Sequence, residues 1–165
     1  MIVRIRRPYI GSNFIHPMDS EPRTAVLARG FQETKTVRVF PYGWNERAER
    51  FCPTSIAGPA EQLRKLALRN IRLEHAVIAF TYEGESGLSH QDREMFWNAF
   101  GVPVFEQYLG AGNELLATEC DAHSGLHVVT GCDHLPVERE VCACGSMTPR
   151  LSRTARIEEL AELLA

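Results

Sequence analysis

The chain has 165 residues, 44% of them hydrophobic and 24% charged, with a formal net charge of −3. That length predicts one domain, which buries roughly 70% of the surface its unfolded chain exposes. Its longest apolar runs fall far short of the ~20 residues a membrane helix needs, and its acidic balance is the wrong sign for gripping a long phosphate backbone.

The first residues, Met1-Ile2-Val3-Arg4-Ile5-Arg6-Arg7-Pro8, carry charge with no apolar signal core behind them, so export is not expected. Five cysteines without an export signal then predict a reducing, cytoplasmic setting. Residues 1–23 hold Pro8, Gly11, Pro17 and Pro22 with little periodicity, and predict an irregular N-terminal arm. Residues 24–31 and 36–40 are apolar and β-branched and are separated by Gln32-Glu33-Thr34-Lys35, which predicts a hairpin. Pro41-Tyr42-Gly43 ends it by turn chemistry.

Over residues 60–70, Leu63, Leu66, Ala67 and Ile71 fall on one helical face, and Pro59 suits the first helical position because no intrahelical partner is lost there. Ala76-Val77-Ile78-Ala79-Phe80 is a continuous apolar run, as in a strand covered on both faces. Ser89 is placed to cap a helix whose first turn carries Asp92. Phe96, Trp97, Ala99 and Phe100 follow as its expected inner face, and Gly101 stops it. Residues 102–107 predict the next strand. Short strands with tight turns then succeed one another over 114–119, 126–130 and 137–141. At the end, Ile157, Leu160, Leu163 and Leu164 share a face of an expected amphipathic helix.

Four cysteines, Cys120, Cys132, Cys142 and Cys144, crowd into this β-rich part among His123, His127 and His134. Zinc takes four thiolate or imidazole ligands in a tetrahedron. Cys142-Ala143-Cys144-Gly145 is a tight turn able to aim two sulfurs at one ion. The stretch from Cys120 to His127 offers a second pair, with Cys120 ending one strand, His123 in the turn and His127 opening the return strand. Either histidine completes a Cys3His set with Cys120, Cys142 and Cys144, and Cys132 and His134 stand in reserve. Four protein ligands leave no open position, so the expected role of the zinc is structural. The expected fold class is α/β, a mixed sheet flanked by helices with a C-terminal β-meander carrying a zinc site. A single α/β domain over residues 24–165 would divide into a core (24–110), a zinc-binding segment (111–152) and a terminal helix (153–165).

The order of motifs over roughly residues 50–152 resembles the phenylacetate–CoA ligase branch of the adenylate-forming, acyl-CoA synthetase superfamily. Cys52-Pro53-Thr54-Ser55-Ile56 resembles the segment before that family's central strand, and Tyr82-Glu83-Gly84-Glu85-Ser86 stands where it has a Gly-Gly-Glu-Pro turn. Glu119-Cys120…Gly125-Leu126-His127-Val128 is similar to its Glu-Cys…Gly-Leu-His-Ile hairpin. Cys142-Ala143-Cys144-Gly145 with Pro149-Arg150-Leu151 resembles the Cys-x-Cys-Gly…Pro-Arg segment of the zinc-holding members. The catalytic parts do not follow. There is no Ser/Thr/Gly-rich phosphate loop, Leu109-Gly110 replaces the Thr-Glu pair after Tyr108, the ribose-binding Asp is missing before Cys142, and neither lysine lies near the C-terminus.

Phosphoryl transfer needs cations and backbone amides around the moving phosphate. The expected function is accordingly a non-catalytic, zinc-stabilised binding or accessory module on a ligase scaffold, with a small molecule or another protein as partner and neither nucleic acid nor membrane. A groove at the strand ends is the expected ligand site, where Tyr108 could stack on a ring and Glu83 and Glu85 could hold an amine or hydroxyl. The alternatives are an enzyme of another class using Glu83, Glu85, His90 or Glu106, a zinc-ribbon nucleic-acid adaptor, and one subunit of a split ligase.

Overall fold

The computed structural model describes residues 11–151 and 164–165. The expected terminal helix and most of the basic start therefore lie outside the described residues. In chain order the elements are β1 (Thr24–Val26), β2 (Val37–Val39), α1 (Glu46–Phe51), β3 (Ser55–Pro59), α2 (Ala60–Ala67), β4 (Ala76–Tyr82), α3 (His90–Phe100), β5 (Val104–Leu109), β6 (Leu115–Glu119), β7 (Leu126–Val128), β8 (Val137–Glu138) and β9 (Arg150–Leu151). All nine strands join one mixed sheet in the order β2-β1-β3-β4-β5-β6-β7-β9-β8. Strands β2 to β5 are parallel, and β6 onward are antiparallel.

The parallel part forms because its strands are buried on both faces. Along β4, Val77 and Ala79 point to one core, while Ala76, Ile78 and Phe80 point to the other. The first core also holds Ala48 of α1, Leu63 and Leu66 of α2, and Phe96 and Phe100 of α3. All three helices pack on this face. The opposite face is covered by irregular chain, with Phe14 and Met18 against Phe31, Phe80 and Phe105. The expected flanking by helices is thus one-sided among the described residues. Trp97, expected on the inner face of α3, is 54% exposed; its position on the helix is turned away from the stripe made by Phe96 and Phe100.

The expected hairpin over residues 24–40 is not formed. β1 and β2 run parallel, with Thr24 opposite Val37 and Val26 opposite Val39. Once the chain leaves β1 it stays pinned to the sheet, because the Leu27 amide donates to the Ala57 carbonyl. It then turns at Gly30 (φ 85°) and lays Phe31 beside Ser12. The polar stretch read as a hairpin turn instead blunts the open edge of β2: Glu33 Oε1 accepts from the Val39 amide at 3.1 Å, and the Thr34 amide donates to Val37 O.

Ser89 caps α3 as expected, its Oγ accepting from the Asp92 amide at 3.0 Å, and Gly101 (φ 69°) closes the helix. Pro59 ends β3 and serves as the N-cap of α2 rather than its first helical residue. No helix among the described residues is long and apolar enough to cross a membrane.

Candidate metal centre and cleft

The candidate metal ligands come from the antiparallel half. Cys120 follows β6 and opens a turn in which the His123 amide donates to Cys120 O at 3.0 Å. His127 sits in β7, opposite Thr118 on one side and Arg150 on the other. Strand alternation sends Leu126 into the core with Tyr108 and Leu151, and turns His127 to the other face. Cys142 and Cys144 belong to a turn closed by Gly145 N–H to Cys142 O at 2.8 Å, with Gly145 at φ 88°, a conformation that favours glycine.

One ligand atom from each of Cys120, His127, Cys142 and Cys144 lies within 4.8 Å of the others, so the four could hold a metal ion. Cys120 Sγ is 3.7 Å from Cys142 Sγ, and Cys144 Sγ is 3.6 Å from His127 Nε2. His123, the alternative ligand, is turned elsewhere: its ring packs 5.0 Å from that of Phe105, and its Nδ1 is 3.7 Å from Glu119 Oε2. Cys132 is buried and donates to Leu116 O, outside the group, and His134 is exposed and outside it as well.

Local electrostatics prepare the site for a cation. The Cys144 amide and the Ser124 hydroxyl hold the Cys142 thiol down at about 6, whereas burial pushes Cys120 up to about 11. One thiolate is therefore present at neutral pH, and Cys120 must give up a proton as a metal enters. Arg150 props the turn beneath Cys142, with Nη1 donating to both the carbonyl and the hydroxyl of Ser124.

Behind Cys120 lies a buried charge cluster. Arg93 donates to Glu119 through both Nη atoms, at 3.1 and 2.8 Å, and reaches Glu106 Oε2 at 3.4 Å. Glu106 Oε1 accepts from Thr81 Oγ1 and the Leu88 amide, and Glu119 Oε2 accepts from the Glu106 amide at 2.7 Å. Glu106, offered above as a catalytic candidate, is thus inside the protein holding three elements together.

A cleft of about 520 Å³ opens at the C-terminal ends of β3 and β4. Glu85, Tyr82 and Ser86 line it on one side and Glu61 and Arg64 on the other. Burial pushes the Tyr82 phenol above its ordinary value, so its hydroxyl is a donor at neutral pH. Arg64 is committed to Asp92 through two bonds of 2.8 Å.

Of the residues expected to bind a ligand, Glu85 lines this cleft and Glu83 is exposed on the adjoining turn. Tyr108 is 1% exposed and packs with Leu116, Ala117 and Leu126, so its ring is part of the core. His90 is exposed and lies outside the cleft lining. Tyr82, the last residue of β4 and the first of the Tyr82–Ser86 stretch expected beside the groove, supplies the aromatic wall instead. Its signal is its place at the end of the strand, two positions past the apolar run that closes at Phe80.

The Arg64 pair depresses the Asp92 carboxyl below its ordinary range, chiefly through the hydrogen bonds. A depressed carboxyl adds stability above the unfolded value near 4 that is lost as pH falls through the folded one. Because Arg64 is half exposed, Asp92→Asn should cost only about 1 kcal/mol at pH 7. Urea midpoints of the two proteins should differ most at pH 6–7 and converge towards pH 3. A gap that stays constant over that range would assign the effect to the helix cap instead.

Neither a family model nor a curated protein matches the chain in sequence. Among solved structures, the chain is similar to 2-hydroxyisobutyryl-CoA ligase in an open conformation with 2-HIB-AMP and CoA. The TM-score is 0.59 at 12% identity, covering 83% of this chain. The chain spans 45% of that ligase's length. The likeness is one of fold: this sheet and its helices share the α/β architecture of that ligase.

Proposed function

We propose that the chain is a zinc-stabilised binding module on an adenylate-forming ligase scaffold of the phenylacetate–CoA ligase-like branch. The observation that carries this reading is the convergence of Cys120, His127, Cys142 and Cys144. A tetrahedron with Zn–S arms of about 2.3 Å and a Zn–N arm of about 2.05 Å has S···S edges near 3.8 Å and S···N edges near 3.6 Å. The separations of 3.7 and 3.6 Å match one edge of each kind, and all four ligand atoms lie within 4.8 Å of one another. When bound, the zinc supplies cross-linking alone, since all four positions belong to the protein.

The cleft is the binding surface of this module. Among the described residues its one guanidinium is taken up by Asp92 and Glu61 is paired with Lys65, and Glu85 adds a further carboxylate, so a phosphate-bearing ligand would meet net negative charge. A neutral or cationic small molecule with a flat part for Tyr82 suits it better. The absence of a Ser/Thr/Gly-rich phosphate loop from these residues supports the non-catalytic reading in the same way.

Metal analysis of protein purified without added zinc is expected to find about one zinc per chain, and much less in Cys142→Ser. Substoichiometric zinc in both would overturn the metal. ATP–pyrophosphate exchange by the zinc-loaded protein with aryl or alkyl carboxylates should stay at background, and exchange above it would overturn the non-catalytic role.

A further inference from the structure

A second cavity, of about 210 Å³, lies at the β2 edge of the sheet, where α1 crosses it. Its floor is made by Phe40 and Phe51, whose ring centroids are 6.3 Å apart. Its rim carries Arg38 from β2 and Arg47 and Arg50 from α1, the last two three positions apart and so on one helical face. The one carboxylate in the lining, Glu33, is engaged through Oε1 with the Val39 amide. Arg38 Nη1 donates to Thr34 O, which fixes the arm and leaves the rest of its fork open. Glu49, the acidic residue next to Arg50, is turned to the Trp44 indole and to Arg69 on the other side of the helix. Among the described residues none of the three guanidiniums is in an ion pair, although acids outnumber bases in the chain by 21 to 18.

We infer that this cavity binds a phosphate monoester carrying a small flat or apolar group. Arginine forks match the oxygens of a phosphate and hold it by paired, charge-assisted hydrogen bonds. The two phenyl rings beneath them would take the attached group out of water. The volume has room for a phosphate and about one ring. The site shares no residue with the ligand cleft or the metal centre, and its charge is opposite to that of the cleft. It stands whether or not the reading of those two sites survives.

The probes are phenyl phosphate and inorganic phosphate, titrated into the full chain with amide and arginine side-chain resonances followed by NMR. Phenyl phosphate should bind at least about threefold tighter than inorganic phosphate, with shifts confined to residues 33–51. The exposed double substitution Arg47→Gln/Arg50→Gln should weaken both probes about tenfold or more. Phe51→Leu should erase the preference for the phenyl ester while leaving inorganic phosphate unaffected. Equal, weak binding of both probes by the unaltered chain would overturn the inference, as would shifts scattered over all arginines. If the double variant keeps its affinity, the inference is also lost.

Discussion

Stripping the zinc from the loaded protein should unfold the antiparallel half and leave the parallel half standing. Structural zinc ligation contributes on the order of 10 kcal/mol at neutral pH in small sites. What otherwise holds residues 120–151 is slight: β8 and β9 are two residues each, β7 is three, and the small core around Tyr108, Leu126 and Leu151 is the main apolar tie. The parallel strands have two larger cores and five- to seven-residue strands β3 and β4. With a chelator, the amides of Leu126 and Val128 should lose about 10³-fold or more of their hydrogen-exchange protection, while those of Val77 to Phe80 keep theirs. Cys142→Ser and His127→Ala should reproduce the pattern. His123→Ala should not, because that ring faces Glu119 and Phe105. Zinc uptake must also release a proton from Cys120, so apparent affinity should rise with pH across the neutral range. Unchanged protection at β7 after complete chelation would mean that the four side chains meet for packing alone.

The half of the site that could be read in advance is the half that local chemistry determines. The turn at Cys142–Gly145 and the turn after Cys120 are set by residues within a few positions, and so is the capped start of α3 at Ser89. The choice between His123 and His127 was open because it depends on which way β7 faces, and the neighbouring strands β6 and β9 decide that through their register. β1 and β2 were misjudged as a hairpin for the same kind of reason. Parallel pairing here is fixed by Leu27 reaching Ala57 and by Phe14 and Phe31 packing on Phe80, all distant in sequence. β3 is not among the expected elements, although the resemblance covers its first residues, Ser55 and Ile56. Its Ala57-Gly58-Pro59 has little strand propensity, and a side chain at Gly58 would come within 3.0 Å of Leu27. Six-residue α1 carries one buried residue, Ala48, too little to show as a periodic face. The cleft fell between β3 and β4 rather than beside β5 because Tyr108 is committed to the core.

Arg93→Met should cost about 3–5 kcal/mol, since it strands two buried carboxylates without their cation. The side chains of Glu106 and Glu119 are 2% and 1% exposed, and that of Arg93 is 13% exposed. One positive charge between two negative ones already leaves a net charge of −1, held by the amides of Leu88 and Glu106 and by the Thr81 hydroxyl. Without the guanidinium the cheapest way to relieve the repulsion is to bind a proton. The folded variant then takes up more protons than its unfolded chain, so its stability falls as pH rises. The deficit against the unaltered protein should therefore be widest near pH 8 and narrow towards pH 5, the same direction as for Asp92→Asn but in a higher pH window. Adding Glu119→Gln to Arg93→Met should recover part of the loss at pH 8, since a neutral amide no longer needs the cation. Glu119 immediately precedes Cys120, so zinc occupancy should drop in Arg93→Met and return in the double variant. A deficit below about 1 kcal/mol, or one that is flat with pH, would show that the backbone donors alone carry these carboxylates. The charge cluster would then have no part in holding the metal hairpin to α3.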